Sequence, residues 1–325
     1  MSAEEASEPR DRGMSLIEVL VALGLFGVLG TLLLGLALAV TIGAPVLVAV
    51  VPDMRRVVKL DFDGRERVTV DGHSYATSLI TLLNPLSPIA EAYRKLRTNI
   101  QFSRPDEPIQ VLAITSPGPG EGKTTSALSL ARNFAQLGKR VLLIDLDPQG
   151  NATMASGVDK RELAASGCEV LLEEVEAKDA IVTTPGGFDL LPGNGDLTAA
   201  EIKLMDALAR EQRLKERLAP LREKYHYILI DCPPSLHLLT INALTAADGV
   251  IVPMQCEYFA LEGLSSLVDT IRAVQTRLNP TLEIEGILRT MYDVRNNLAN
   301  EVSAQLAKHF GDKVFRTVVP RNVRL

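Results

Sequence analysis

The sequence has no tryptophan and only 4% aromatic residues, too few for the row of rings on which a single-stranded nucleic acid stacks. Its three cysteines, Cys168, Cys232 and Cys256, are too scattered for a disulfide framework or a four-ligand zinc site and suit a reducing compartment. A basic excess is missing as well: 34 Lys and Arg stand against 40 Asp and Glu, a formal net charge of −6. Wholesale coating of nucleic acid is excluded, and any DNA contact must come from a local patch. Of four histidines, His73 has no second ligand beside it and reads as a surface or turn residue. What remains, 46% hydrophobic and 23% charged over 325 residues, is a globular composition with room for one large domain or two ordinary ones.

Charge is absent altogether from Val19 to Pro52. The apolar stretch over residues 16–40, which carries Glu18 near its start and otherwise lies in that run, exceeds the roughly 20 apolar residues with which a helix crosses a bilayer, and it is longer than the apolar region of a typical signal peptide. Arg10 and Arg12 precede it, and the more basic Arg55, Arg56 and Lys59 follow, which favours a cytoplasmic C-terminal side. Gly13-Met14-Ser15-Leu16-Ile17-Glu18 and the apolar run behind it resemble the processing site of type IV prepilins, with glycine before the cut and glutamate five residues into the mature helix. That resemblance implies that the rest of the chain ends up outside the membrane; an ordinary anchor carrying Glu18 at its edge leaves it inside. Residues 41–86 read as a linker or a small β element, since Arg65 to Tyr75 alternates like a hairpin turning at Asp71-Gly72.

From Ile109 onward short apolar runs alternate with helix-length segments. Val111–Thr115, Val141–Asp145, Tyr227–Asp231, Val250–Pro253 and Ile284–Thr290 read as strands buried on both faces. Thr124–Leu137 reads as a helix closed by Gly138. This βαβ repetition predicts an α/β fold, a doubly wound, mostly parallel sheet behind one N-terminal transmembrane helix. The segment Ala199–Leu218, with charges of alternating sign and Glu211 and Lys215 four apart, reads as one solvated helix without a partner site.

The first of these strands runs into Ser116-Pro117-Gly118-Pro119-Gly120-Glu121-Gly122-Lys123-Thr124-Thr125, and a helix follows. A glycine-rich turn between strand and helix lets backbone N–H groups wrap phosphates, aided by the helix dipole. Gly118, Gly120, Glu121, Gly122, Lys123, Thr124 and Thr125 are the candidate nucleotide-binding residues, with Lys123 reaching the β/γ oxygens and the Thr124 hydroxyl on Mg²⁺. Pro117 stands where the strict pattern has glycine, which makes the loop a deviant Walker A type. Two later strands end in Asp145, followed by Asp147, and in Asp231, carboxylates at the edge where a P-loop site keeps its metal and water.

Ser87 to Ile100 and the loop 116–125 resemble the cytoplasmic domain of bacterial tyrosine kinases and polysaccharide co-polymerases. In that family Glu-x-x-Arg-x-x-Arg, here Glu91, Arg94 and Arg97, joins subunits into a ring; the same spacing also fits a salt-bridged surface face. From Asp145-Leu-Asp-Pro-Gln-Gly-Asn-Ala-Thr153 onward, including Tyr225–Ser235, Gln255–Gly263 and Val319–Arg324, the chain resembles the ParA/Soj chromosome-partitioning ATPases. The pattern is that of a mosaic with a shared strand, Val141 to Asp147, at the junction. The partition resemblance implies Asp145 near Mg²⁺, Asp231 as Walker B carboxylate, and catalysis by Lys123 and by Asp147, which positions the attacking water. It further implies ATP and Mg²⁺ as cofactors, dimers, and non-specific DNA binding through Arg295 and Arg324.

Two departures stand against it: Gly118 occupies the position of a signature lysine that crosses the family's dimer, and the chain stops at Leu325, where the family continues with more sheet and helix. The expected organisation is a polar tail over 1–15, a transmembrane or prepilin-like helix over 16–40, a linker over 41–86 and a P-loop ATPase domain over 87–325. The expected function is a ParA-like ATPase at the inner membrane with its ATPase domain cytoplasmic, or wholly cytoplasmic if the apolar run is not inserted; its activator protein and cargo are not legible. A kinase-like ATP-binding protein is the alternative, disfavoured because no tyrosine follows Tyr292. A pilin-like membrane subunit or an inactive mosaic is the third. A prepilin-like chain is expected to lose residues 1–13, read as the N-terminal mass of the membrane-extracted protein, whereas an ordinary anchor keeps them.

Overall fold

The structure, a computed structural model, describes the backbone of residues 67–70 and 73–76 and all of residues 86–321. The apolar run 16–40, the expected turn at Asp71-Gly72 and Arg324 lie outside the described residues. Among the described residues no helix is long and apolar enough to cross a membrane. Strands β1 (Arg67–Val70) and β2 (His73–Ala76) pair antiparallel with Val70 opposite His73, the hairpin that the alternation predicts.

Helix α1 (Pro88–Ser103) starts where Ser87 accepts a hydrogen bond from the Ala90 N–H at 3.1 Å and Pro88 takes the first turn, where a missing N–H costs nothing. Strand β3 (Val111–Ile114), helix α2 (Lys123–Ala135) and strand β4 (Val141–Asp145) follow. Gly138, with φ +71°, closes α2 through its N–H to the Ala135 carbonyl at 2.9 Å. Short helices α3 (Asn151–Ala155), α4 (Gly167–Leu171) and α5 (Ala177–Ala180) lead to strands β5 (Val182–Thr183) and β6 (Asp189–Leu191). Then come α6 (Leu197–Leu204), α7 (Arg213–Leu218), β7 (Tyr227–Asp231), α8 (Leu238–Ala246), β8 (Gly249–Gln255), α9 (Tyr258–Arg277), β9 (Glu283–Tyr292), α10 (Asn297–Phe310) and β10 (Val314–Pro320).

These last eight strands form one sheet in the order β10-β9-β8-β3-β7-β4-β6-β5. Every neighbouring pair is parallel except β5 with β6 at the edge. From β3 the chain builds β4, β5 and β6 on one side, returns to insert β7 between β3 and β4, and then builds β8, β9 and β10 outward on the other side, so the carboxyl ends of β3, β7 and β4 face the crevice at the switch point. Both faces are covered, and alternate residues of each strand serve opposite cores. Val111, Leu142, Ile144, Ile228 and Ile230 pack with α6 to α10 on one side. Leu112, Ile114, Leu143 and Leu229 pack with α1 and α2 on the other.

The kinase-like and partition-like stretches therefore share one core. Tyr93, Leu96 and Ile100 of α1 are buried beside Leu128 and Phe134 of α2 and beside Leu288 and Val319 of β9 and β10. The Tyr93 hydroxyl meets the Ser126 hydroxyl at 3.2 Å, and Arg104, just past α1, pairs with Glu285 and, at 3.4 Å, with Glu283.

One expectation fails. Ala199–Leu218 is two helices, α6 and α7, separated by a turn in which Ala209 has φ +50°. The cause is tertiary: the buried Asn242 of α8 accepts from the Leu214 N–H at 3.0 Å and donates to the Arg210 carbonyl at 2.8 Å. It thereby satisfies backbone groups that a continuous helix would pair internally. Arg213 and Arg217 are not simply solvated either, since both pair with Glu173, at 2.5 and 3.2 Å. Because α1 is part of the sheet's own core, Leu96→Ala is expected to cost about 2–5 kcal/mol in denaturant unfolding, against under about 0.5 kcal/mol for the exposed Lys95→Ala.

Candidate functional site

The loop between β3 and α2 holds its shape through its glycines and through its lysine. Gly122 sits at the helix N-cap with φ +88°, a left-handed conformation that side chains other than glycine rarely tolerate. The Lys123 Nζ, nearly buried, donates to the Ser116 hydroxyl at 2.9 Å and to the Gly118 carbonyl at 3.1 Å, and Ser116 donates to that same carbonyl at 2.6 Å. Burial pulls the Lys123 ammonium below its usual pKa, and the negative field of Asp231 opposes the shift. The loop is braced from behind: Thr290 of β9 donates to the Glu121 carbonyl at 2.8 Å. On α9, a Cβ at Gly263 would lie 2.9 Å from Pro117, so the departure at position 117 is accommodated by a glycine opposite.

A cavity of 340 Å³ opens over this loop, lined by Gly120, Gly122, Lys123, Thr124, Thr125 and Asp147. All six were expected from the sequence. Gln149, Asn151 and Pro234 also line it; they lie inside the motifs quoted above, but nothing in the string marks their side chains as facing the cavity. Gly118 and Glu121 sit in the loop without lining it.

The carboxylates divide. Asp145 and Asp231 face each other in register on β4 and β7, both fully buried. Asp145 is already engaged: one oxygen accepts from the Asp147 N–H at 3.2 Å, the other from the Thr153 N–H and hydroxyl, both at 2.7 Å. Burial pushes its pKa up to about 6, against the pull of those Thr153 hydrogen bonds. Neither oxygen of Asp231 has a hydrogen-bond partner. Burial, and then the neighbouring Asp145, push it well above the ordinary carboxylate range, while the nearby Thr124 hydroxyl and Lys123 pull the other way. A buried carboxylate with both oxygens free beside a threonine hydroxyl is the donor set that a hard divalent cation such as Mg²⁺ satisfies.

A second cavity, of 200 Å³, lies past the ends of β8 and β9. Met291, with φ +47°, lines it with Tyr292, Asp293 and Arg321, and Thr290, the residue before Met291, is the one that braces Glu121. No pattern in the sequence singled it out.

The remaining expected residues lie apart from the loop. Arg295 is exposed and held by Asp293 through both oxygens, at 2.9 and 2.8 Å, and this partner draws the Asp293 pKa down to about 2. On α1, Glu91 pairs with Arg94 at 2.7 Å and with Lys95 at 3.9 Å, while the Arg97 Nε is buried without a hydrogen-bond partner. Glu91 and Arg94 thus form the surface ion pair that their spacing allows.

Fold and loop together define a P-loop nucleotide-binding protein of the doubly wound type. A family model described as an AAA domain matches residues 109–284, and one described as a prokaryotic N-terminal methylation motif matches residues 9–34. The sporulation initiation inhibitor protein Soj of Bacillus subtilis is 50% identical over 217 residues, 66% of this chain and 86% of that protein. The chromosome partitioning protein ParA of Caulobacter vibrioides is 48% identical over 221 residues, covering 67% and 83% of the two chains. Among solved structures, a cobyrinic acid a,c-diamide synthase from Mycobacterium smegmatis with bound ADP and magnesium superposes with a TM-score of 0.63 at 43% identity, over 66% of this chain and 87% of that one. The chain belongs to the AAA-domain family of P-loop ATPases, in its ParA/Soj branch, and carries a prepilin-like motif in front.

Glu121 makes the site pH-sensitive. Its carboxyl is nearly buried, one oxygen has no partner, and burial pushes its pKa up to about 7, with Lys123 opposing and Glu257 adding to the rise. An acid whose pKa is higher folded than unfolded stabilises the fold fully below the unfolded value, about 4.3, and loses that contribution as pH rises through about 7. Glu121→Gln is therefore expected to raise the melting temperature relative to wild type more at pH 8 than at pH 5, checked by thermal scans at both.

Proposed function

We propose that this protein is a ParA-type ATPase that binds MgATP over the loop 116–125, hydrolyses it, and in its nucleotide-bound form contacts DNA without sequence preference. The observation that carries the reading is the orphaned, fully buried Asp231 carboxylate beside Thr124 and Lys123 at the mouth of the glycine loop. Thr124 and Asp231 would hold the magnesium, and Mg²⁺ when bound would neutralise phosphate charge. Asp145, which accepts hydrogen bonds on both oxygens, contributes by shaping the turn that carries Asp147. Lys123 leaves its loop partners for the phosphate oxygens, backbone N–H groups of the loop hold the oxygens that gain charge, and Asp147 orients the attacking water. The 200 Å³ cavity past β8 and β9 receives the base. The homologous synthase solved with an ATP analogue and magnesium supports the same pair of ligands here.

DNA contact rests on Arg295 and Arg324. Arg295 must exchange Asp293 for a phosphate, which makes this contact weak and salt-sensitive. Gly118 leaves the position of the cross-dimer lysine without a side chain, and a Cβ there would meet only Glu121, at 3.7 Å. The apolar run 16–40 and the basic flank Arg55, Arg56 and Lys59 behind it support a location at the inner membrane with the ATPase domain on the cytoplasmic side; a partition role would then act on DNA from a membrane site.

Lys123→Ala is expected to abolish MgATP binding in titration calorimetry. Asp147→Ala is expected to bind MgATP within about threefold of wild type while hydrolysis falls about 10²-fold or more. Duplex DNA binding is expected only with ATP, with log K falling against log salt with a slope of about −2 for two arginine contacts. An unchanged hydrolysis rate in Lys123→Ala would remove the loop from the mechanism, and binding indifferent to ATP would remove the DNA role.

A further inference from the structure

The turn after β4 carries three residues of the phosphate cavity, Asp147, Gln149 and Asn151, and its far end is tied down at one point. Thr153 is fully buried. Its N–H and its hydroxyl both donate to the same oxygen of Asp145 at 2.7 Å, and the hydroxyl oxygen accepts from the Gly193 N–H at 2.9 Å. A threonine hydroxyl has one proton to donate and lone pairs to accept with; here both functions are used, one on the end of β4 and the other on the loop leaving β6. The fit is close on every side. A Cβ at Gly193 would lie 2.3 Å from the Asp145 carbonyl, and one at Gly150 would lie 2.7 Å from the Gly193 carbonyl. The near end of the turn is fixed by the same carboxylate, whose other oxygen accepts from the Asp147 N–H at 3.2 Å, and Asp147 in turn accepts from the Gln149 N–H at 2.9 Å.

We infer that Thr153 is a positioning residue for hydrolysis: by bridging Asp145 to Gly193 it ties the far end of the turn 147–153 to the carboxylate that holds the near end, and so fixes Asp147 over the phosphate site. Thr153 touches no substrate and acts only through the turn. The inference rests on the ATPase reading above and adds to it the residue that sets the geometry of Asp147. Without the hydroxyl, Asp145 loses one of its donors and the buried Gly193 N–H loses its acceptor. The turn then gains freedom where a displacement of about 1 Å can cost about 10²-fold in rate.

The test uses the full-length chain with Thr153→Val, which keeps the side-chain shape and removes the hydroxyl, and Thr153→Ser, which keeps the hydroxyl. Thr153→Val is expected to lower kcat at least tenfold while the MgATP Kd stays within threefold, and Thr153→Ser is expected to restore kcat. Hydrogen exchange reports independently of turnover: the amides of residues 147–153 and of Gly193 are expected to lose protection in Thr153→Val and to keep it in Thr153→Ser. Unchanged kcat and unchanged protection in Thr153→Val would overturn the inference, and so would an equal loss of kcat and MgATP binding, the mark of general structural damage. A wild-type chain that binds no MgATP overturns the ATPase reading instead, and the exchange comparison still decides whether the clamp exists.

Discussion

Two carboxylates placed opposite each other at the ends of adjacent parallel strands constrain the rest of the site. Asp145 and Asp231 are in register and fully buried. Two unit charges on neighbouring strands, about 5 Å apart, repel by about 3 kcal/mol at an effective dielectric of about 20, so the pair exists only with donors, protons or a cation to offset it. The protein supplies hydrogen-bond donors to Asp145 and leaves both oxygens of Asp231 open. That asymmetry separates two roles. One carboxylate organises the turn that follows it, and the other faces the lysine and threonine of the phosphate loop with its acceptors free.

The same constraint explains why neighbouring elements approach so closely. The loop leaving β6 must bring the Gly193 N–H to the Thr153 hydroxyl, and only a residue without a side chain fits against the Asp145 carbonyl there. On the other flank Gly263 leaves room for Pro117, and Thr290 braces the Glu121 carbonyl. The phosphate loop is thus held between the ends of β7 and β4 on one side and those of β8 and β9 on the other, with α1 inside the core that keeps α2 in place.

Much of this was legible in the string. The strands ending in Asp145 and Asp231 announced themselves as unalternating apolar runs, because a sheet covered on both faces needs no polar side. The loop was legible because wrapping a phosphate demands glycines, a lysine and a threonine at fixed offsets between strand and helix. Residues 199–218 misled for the opposite reason. Their charges have helical spacing, but the decision to break the helix belongs to Asn242, some thirty positions on, which no local pattern can reveal. The second cavity was equally invisible, since its lining comes from three separated segments and is marked only by the left-handed backbone at Met291.

The sequence by itself determined the parallel α/β class, the phosphate loop with Lys123 and Thr124, and the strand-end carboxylates, because each is dictated by local spacing and by the period of buried strands. Only the tertiary structure decided that the kinase-like helix and the partition-like sheet share a core, that Asp145 is satisfied from within while Asp231 is left open, and that Thr153 and Gly193 close the turn between them. Those outcomes depend on hydrogen bonds and close contacts between residues far apart along the chain. Their energies are set by burial and partner geometry, which exist only once the chain has folded.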